Sequence, residues 1–282
     1  MVFDADVHLS VTEKNGLTAE EALRAMDRAG IDRANIWLQP PYMREIEEAN
    51  RYIYEAWRNH PDRFSPTGWV DPHFGARRAE EMLRRCLEDY GMHAVKFNGA
   101  QNSYPIDDEA LMPLYAQVEH AGAGLAFHIG ADAYDFTHPY RAQKVAERFP
   151  RMRIMLVHMG GAGKPDLSQA SISVAQACPN VMLTGSAVSY LAVMEAIRKL
   201  GPERVCFGSD APFACPMWSA QPTRHFCRMW WMLLDGNWLW DRMRLSSFSK
   251  TTASLPCTAC RKGGRSSAFR HAETLGKISG HR

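Results

Sequence analysis

A (β/α)8 TIM barrel is the fold this sequence predicts, on three observations. Short apolar or β-branched runs alternate with longer amphipathic stretches, the pattern of a parallel sheet covered by helices. Eight such steps fit before residue 208, at a spacing of roughly 25 residues that suits a closed barrel. The length of 282 residues also fits one barrel, which needs about 250. An open doubly wound sheet is the alternative. It would carry a glycine-rich nucleotide loop after the first strand, and none is present there.

The elements follow in order. The first run is Val2 to His8. Thr18 then reads as the N-cap of a helix, with Glu21 three residues on completing a capping box, and Gly30 ends it where a left-handed turn is needed. The second run is Ala34 to Leu38, followed by a helix from about Met43 to Asn59; the third is Phe64 to Val70, with a helix over Ala76 to Tyr90. The fourth is His93 to Phe97, with a helix from Asp108 to Ala121. The fifth, Gly124 to His128, leads to a helix from Pro139 to Phe149, and the sixth, Arg153 to His158, to one over Ser168 to Ala177. The seventh is Val181 to Thr184 with a helix over Tyr190 to Leu200, and the eighth strand is Arg204 to Gly208.

After Pro212 the pattern degrades. The Trp- and Met-rich stretch from Pro222 to Arg244 is read as an incomplete or atypical eighth helix. From Leu245 the chain is Ser-, Thr- and Gly-rich and has no period, so 1–244 is read as the barrel and 245–282 as a disordered tail. The charge supports that division. The tail holds seven Lys and Arg against one acid, a net +6, which leaves −4 on the barrel within the overall +2. The tail is either a divergent extension or the product of a shifted reading frame.

Composition also excludes function classes. Hydrophobic residues make up 46% of the chain, enough for a large core, and a net charge of +2 gives no footprint for nucleic acid. No window of about 18 apolar residues suggests a membrane span. The opening MVFDADVHLS lacks the basic and apolar regions of a signal peptide, and seven scattered cysteines read as reduced thiols, so a cytoplasmic protein is expected. The Cys257–Cys260 pair has no second pair and no βαβ context and is read as incidental.

The chemistry is expected at the C-terminal ends of the strands, which in a barrel share one face. His8 ends the first strand, His128 the fifth and His158 the sixth, while Asp210 follows the eighth. Asp6 lies two residues before His8, so both side chains project to the same side of a strand. One histidine at a strand end is more often a packed residue than a ligand, but four such residues on one face argue against chance. Imidazoles and carboxylates meeting at one point make a site for a divalent metal, Zn²⁺ or Mn²⁺. Trp37, Trp69, Lys96 and Asn98, at or just beyond other strand ends, are weaker candidates for the substrate pocket.

The segments FDADVHLS, HPDRFSPTGWVDP, GMHAVKFNG, LAFHIG, FPRMRIMLVHMGG and RVCFGSDAPF, together with PIDDEALMPLYAQVEHAG, resemble the amidohydrolase superfamily. The likeness is to its amidohydrolase-related branch, which includes aminocarboxymuconate-semialdehyde decarboxylase, γ-resorcylate decarboxylase and pyrone-dicarboxylate lactonase. It covers residues 3 to about 213 in the family's order. The resemblance implies His8 and His128 as metal ligands, His158 as a catalytic histidine and Asp210 as ligand and proton-transfer group. The family's first strand carries His-x-His or Glu-x-His; here it reads Asp6-Val7-His8, so aspartate fills the first ligand position. Two carboxylates on one ion weaken it as a Lewis acid and move preference from Zn²⁺ toward Mn²⁺.

The first functional expectation is metal-dependent hydrolysis of a small ester, lactone or amide, with Asp210 taking a proton from water and His158 donating a hydrogen bond to the substrate oxyanion. The alternative is non-oxidative decarboxylation of an aromatic or unsaturated acid. A third reading is a catalytically silent barrel that binds a metabolite. In each the partner is a small molecule, and a homodimer is the assembly that barrels of this size often form.

Overall fold

A computed structural model of the chain describes residues 1–10, 16–39 and 46–213. The elements run β1 (Phe3–Leu9), α1 (Ala19–Ala29), β2 (Arg33–Leu38), α2 (Ile46–Asn59), β3 (Phe64–Trp69), α3 (Ala76–Arg84), β4 (Ala94–Phe97), α4 (Gly99–Asn102) and α5 (Met112–His120). They continue with β5 (Gly124–Gly130), α6 (Tyr134–Thr137), α7 (Pro139–Arg148), β6 (Ile154–Ala162), α8 (Ser168–Ala177), β7 (Val181–Thr184), α9 (Tyr190–Leu200) and β8 (Val205–Cys206).

The eight strands form one sheet in sequential order, every neighbouring pair parallel. The chain beyond β8 bonds back to β1: Ala5 N donates to Phe207 O at 2.9 Å and His8 N to Ala211 O at 2.8 Å, closing the ring. β8 is only two residues long where Arg204 to Gly208 is expected: Arg204 ends the 3-10 turn Pro202–Arg204, and beyond Cys206 the chain meets β1 through these single bonds and an isolated bridge from Val7 to Ala211. The expected eighth helix over 222–244 and the tail from 245 lie outside the described residues. Among the described residues no helix is long and apolar enough to cross a membrane.

Local signals placed the helices. Thr18 accepts from Glu21 N and Glu21 reaches back to Thr18 N, the full capping box, and Gly30 closes α1 at φ 73°. Ala19, Ala22, Ala25, Met26 and Ala29 give α1 a narrow buried face, spaced for one side of a helix. Two helices differ from expectation. The run to Tyr90 is α3 followed by a π turn, Arg85–Asp89, which seats buried Cys86 against Gly68. A Cβ on Gly68 would fall 2.6 Å from the Cys86 Sγ, so that seat needs glycine. The helix expected from Asp108 starts at Met112, because Pro113 lacks an N–H and belongs in a first turn; Asp108 instead caps the 3-10 turn Glu109–Leu111.

Between sheet and helices, Tyr115 of α5 meets Phe97, Phe127 and Phe149 edge-on at 5.0, 5.6 and 6.4 Å. Its hydroxyl donates to Ile106 O at 2.9 Å, so the one polar atom in this aromatic layer is satisfied. This packing fixes the ends of β4 and β5, and with them Lys96 and His128.

Candidate metal centre

Asp6 and His8 of β1 and Asp210 beyond β8 each offer a ligand atom, and those atoms lie within 4.8 Å of one another. All three residues are buried. The β1–β2 register shifts between Asp4 and Val7, a bulge beside Asp6. Bulges re-aim side chains near functional sites. Here Phe3 and Ala5, before it, line the barrel's N-terminal cavity, while His8, after it, lines the cavity at the rim.

The His8 ring is fixed at both nitrogens. Its Nδ1 bonds to the Leu38 carbonyl at 2.8 Å and so carries the proton, while Nε2 accepts from the Trp37 indole at 3.1 Å. Asp6 Oδ1 and Asp210 Oδ1 stand 3.5 and 3.6 Å from Nε2, and a cation held among the three would take the place of the Trp37 N–H at that one lone pair. Asp6 Oδ1 is buried and has no hydrogen-bond partner among the described residues. An orphaned carboxylate oxygen in a low-dielectric interior is costly unless a cation meets it. Two donors each about 2.1 Å from one ion at tetrahedral angles stand roughly 3.4 Å apart, close to these separations. The donor set therefore fits a divalent cation.

The charges divide unevenly over the cluster. Burial acts to raise the Asp6 pKa, but the His8 ring, Lys96 and His158 outweigh it and hold the carboxyl well below its ordinary range. Burial and the neighbouring Asp6 charge push Asp210 up to about 8. Two carboxylates in one pocket separate in this way, one ionised and one prone to keep its proton. Desolvation lowers Lys96 to about 8 and His158 to about 3, the latter with help from His128. Asp4, behind the site, is raised to about 7 by burial; its Oδ1 accepts from Ser209 N at 2.9 Å and ties β1 to the turn before Asp210.

Around the group lies a cavity of about 220 Å³ whose walls include His8, Lys96, Asn98, His128, His158 and Asp210. His128 faces this cavity but is outside the ligand group. Its Nε2 donates to Asp132 Oδ2 at 2.8 Å, and its ring packs edge-on against His158 at 4.8 Å. Asn98 caps the short helix α4 through Gln101 N. Two sequence expectations are corrected. Trp37 and Trp69 are not in the cavity wall, being fully enclosed. They lie against Lys96 instead, whose Nζ is 3.8 Å from the Trp37 ring centre and 5.3 Å from that of Trp69. Indole faces stabilise a buried ammonium through their π charge. Sequence reasoning missed Asp132, Ser186 and Phe213. Phe213 packs edge-on against His8 at 5.3 Å. No motif marks any of them, although Asp132 stands four residues after His128.

The family model described as Amidohydrolase matches residues 3–228. The chain belongs to the amidohydrolase family. Solved structures share the fold. A TIM-barrel protein of Bordetella bronchiseptica aligns with a TM-score of 0.65 at 19% identity over 82% of this amidohydrolase and 90% of its own chain. The dihydroxybenzoic acid decarboxylase of Polaromonas sp. JS666, solved with manganese and 2-nitroresorcinol, aligns at 0.60, with 18% identity over 82% and 90%. The 5-carboxyvanillate decarboxylase of Sphingomonas paucimobilis aligns at 0.59, with 20% identity over 80% and 92%. At these identities the likeness establishes the barrel.

Proposed function

We propose that this amidohydrolase is a metal-dependent carboxy-lyase that releases carbon dioxide from a small aromatic or unsaturated acid. The observation that carries the proposal is Lys96. Its ammonium is buried, faces the rim cavity, and has no carboxylate within 4.0 Å among the described residues. A buried cation needs an anion, and an acid substrate supplies one beside the carboxylate cluster. Two of the similar solved structures are decarboxylases of aromatic acids, one of them holding manganese.

Asp6, His8 and Asp210 would hold the metal ion, Mn²⁺ or Zn²⁺, with His128 as a further ligand once its ring leaves Asp132. When bound, the ion supplies Lewis-acid polarisation of a substrate oxygen. Lys96, braced on its two indoles, holds the acid's anionic group. Asp210, whose ionisation burial and the Asp6 charge oppose while no cation is bound, would take up a proton as its hold on the ion loosens and deliver it to the carbon as the carbon–carboxyl bond breaks and carbon dioxide leaves. Water then returns a proton to Asp210, which balances the cycle.

Hydrolysis of a small ester, lactone or amide is the second reading, favoured by the family membership and served by the same ligand group. Purified protein loaded with Mn²⁺ or Zn²⁺ is assayed for carbon dioxide from a panel of hydroxybenzoates beside hydrolysis of aryl esters and lactones. Carbon dioxide release supports the proposal. Ester or lactone turnover alone replaces it with the second reading. Absence of both, with ligand binding retained, leaves the silent metabolite-binding barrel.

A further inference from the structure

Ser186, two residues beyond β7, is 1% exposed and sits between two groups of the site. Its Oγ is 2.5 Å from Asp6 Oδ2 and 3.0 Å from His158 Nδ1. Asp6 and Ser186 are 180 positions apart, and a glycine lets them meet. A Cβ on Gly208 would stand 2.6 Å from Thr184 Cγ2, 2.9 Å from the Asp6 Cβ and 3.1 Å from the Ser186 Cβ.

A hydroxyl has one hydrogen, and an ionised carboxylate only accepts. With Asp6 ionised, the Ser186 hydrogen goes to Asp6 Oδ2. Oγ must then receive its second bond from a hydrogen on His158 Nδ1. A neutral imidazole carries one N–H. It stands on Nδ1, so Nε2 keeps a lone pair. No hydrogen bond occupies Nε2 among the described residues, and the ring lines the cavity.

We infer that Ser186 is a positioning residue that fixes His158 as its Nδ1–H tautomer and presents a bare Nε2 to the cavity. The histidine therefore accepts a hydrogen bond or a proton from the bound molecule, the reverse of the oxyanion donor expected from the sequence. The backbone agrees with a side chain pinned from outside its own strand. His158 and Met159 have φ of 67° and 37°, strained values for residues with a Cβ that persist only where tertiary contacts over-determine them. The inference rests on the reading of Asp6 as an ionised ligand, and not on which reaction follows.

The test uses full-length protein labelled with 15N-histidine and loaded with Zn²⁺, which is diamagnetic. The His158 ring signals are assigned by their loss in His158→Asn, and nitrogen–proton couplings report which ring nitrogen is protonated. The expected result is a proton on Nδ1 in the wild type and in Ser186→Thr, and a loss of that tautomer preference in Ser186→Ala. In parallel, Ser186→Ala should lower kcat by about 10–100-fold with little change in KM, the scale seen for groups that orient a ligand or base, while Ser186→Thr recovers most of it. A wild-type proton on Nε2, or an unchanged tautomer in Ser186→Ala, overturns the inference. The wild-type measurement needs no variant to fold. Failure of the wild type to release carbon dioxide would sink the proposed reaction and leave the nitrogen result standing.

Discussion

The two ends of the barrel enclose cavities of similar size, about 220 Å³ at the C-terminal rim and about 230 Å³ at the N-terminal end, and they are built by opposite rules. The N-terminal cavity is walled largely by Phe3, Ala5, Pro66, Ala94, Ala126 and Met155; the rim is walled by imidazoles, a lysine and two carboxyls. The backbones differ too. Where helices return to strands, the positive-φ positions are glycines: Gly30, Gly91, Gly122 and Gly201. Where strands lead to helices, the described non-glycine residues with positive φ collect: Ser103, His158, Met159, Ala187 and Asp210. The N-terminal turns use the residue that fits the conformation. The rim accepts about 1–3 kcal/mol of strain at each such position, and two of them carry side chains that define the site.

The largest expected effect separates the ends by function. Asp210→Asn should reduce turnover on the order of 10³-fold, the scale of lost proton transfer. With no metal bound to either protein, its thermal midpoint at pH 7 should match or exceed the wild type, because it removes a carboxyl whose ionisation burial opposes. A fall in stability together with activity would make Asp210 a structural residue and break the contrast.

Metal removal comes next. Dialysis against a chelator should lower the thermal midpoint, and Mn²⁺ or Zn²⁺ should restore it, by about 2.7 kcal/mol at a hundredfold excess over Kd. A midpoint indifferent to chelator and to both ions would remove the metal from the rim.

The backbone rule is testable by exchange. Gly30→Ala meets no atom within 4 Å of the new Cβ, so its cost is the left-handed conformation alone, about 1 kcal/mol. Ala187→Gly, at an exposed rim position with φ 53°, should be neutral or stabilise by up to about 1 kcal/mol. Denaturant midpoints read both; a tolerated Gly30→Ala with a destabilising Ala187→Gly would reverse the argument.

The smallest effect concerns pH. On the rim side, Asp107 lies 2.5 Å from Arg141 Nη1 and 2.7 Å from Lys144 Nζ. Burial acts to raise its pKa, but these cations outweigh it and hold the carboxyl below the usual value. A depressed carboxyl stabilises the fold above its unfolded pKa of about 4 and loses that contribution as pH falls through the folded value. Asp107→Asn should therefore lower the midpoint modestly at pH 7, with the difference fading below pH of about 4. A difference that stays constant with pH would assign the effect to packing.

Much of this molecule is legible in its sequence. Strands 64–69 and 181–184 and helices 168–177 and 190–200 fall within a residue of expectation, because alternation and caps are written in neighbouring positions. The placement of His8, His128, His158 and Asp210 at the rim followed from strand ends alone. Asp132, Ser186 and Phe213 did not, since a loop residue beside a strand end carries no periodicity. The burial of Trp37 and Trp69 beneath Lys96 was also silent, because a tryptophan at a strand end reads the same whether it faces a cavity or supports what does.

The order of residues thus determined a barrel and the short set of groups that could do chemistry on it, since both depend on spacing along the chain. Three-dimensional packing decided which of them touch. It drew Asp6, His8 and Asp210 into one group, held His128 on Asp132, and set Ser186 between Asp6 and His158. Such contacts join residues far apart in the chain at atomic distances, and hydrogen-bond direction is fixed only when both partners are in place.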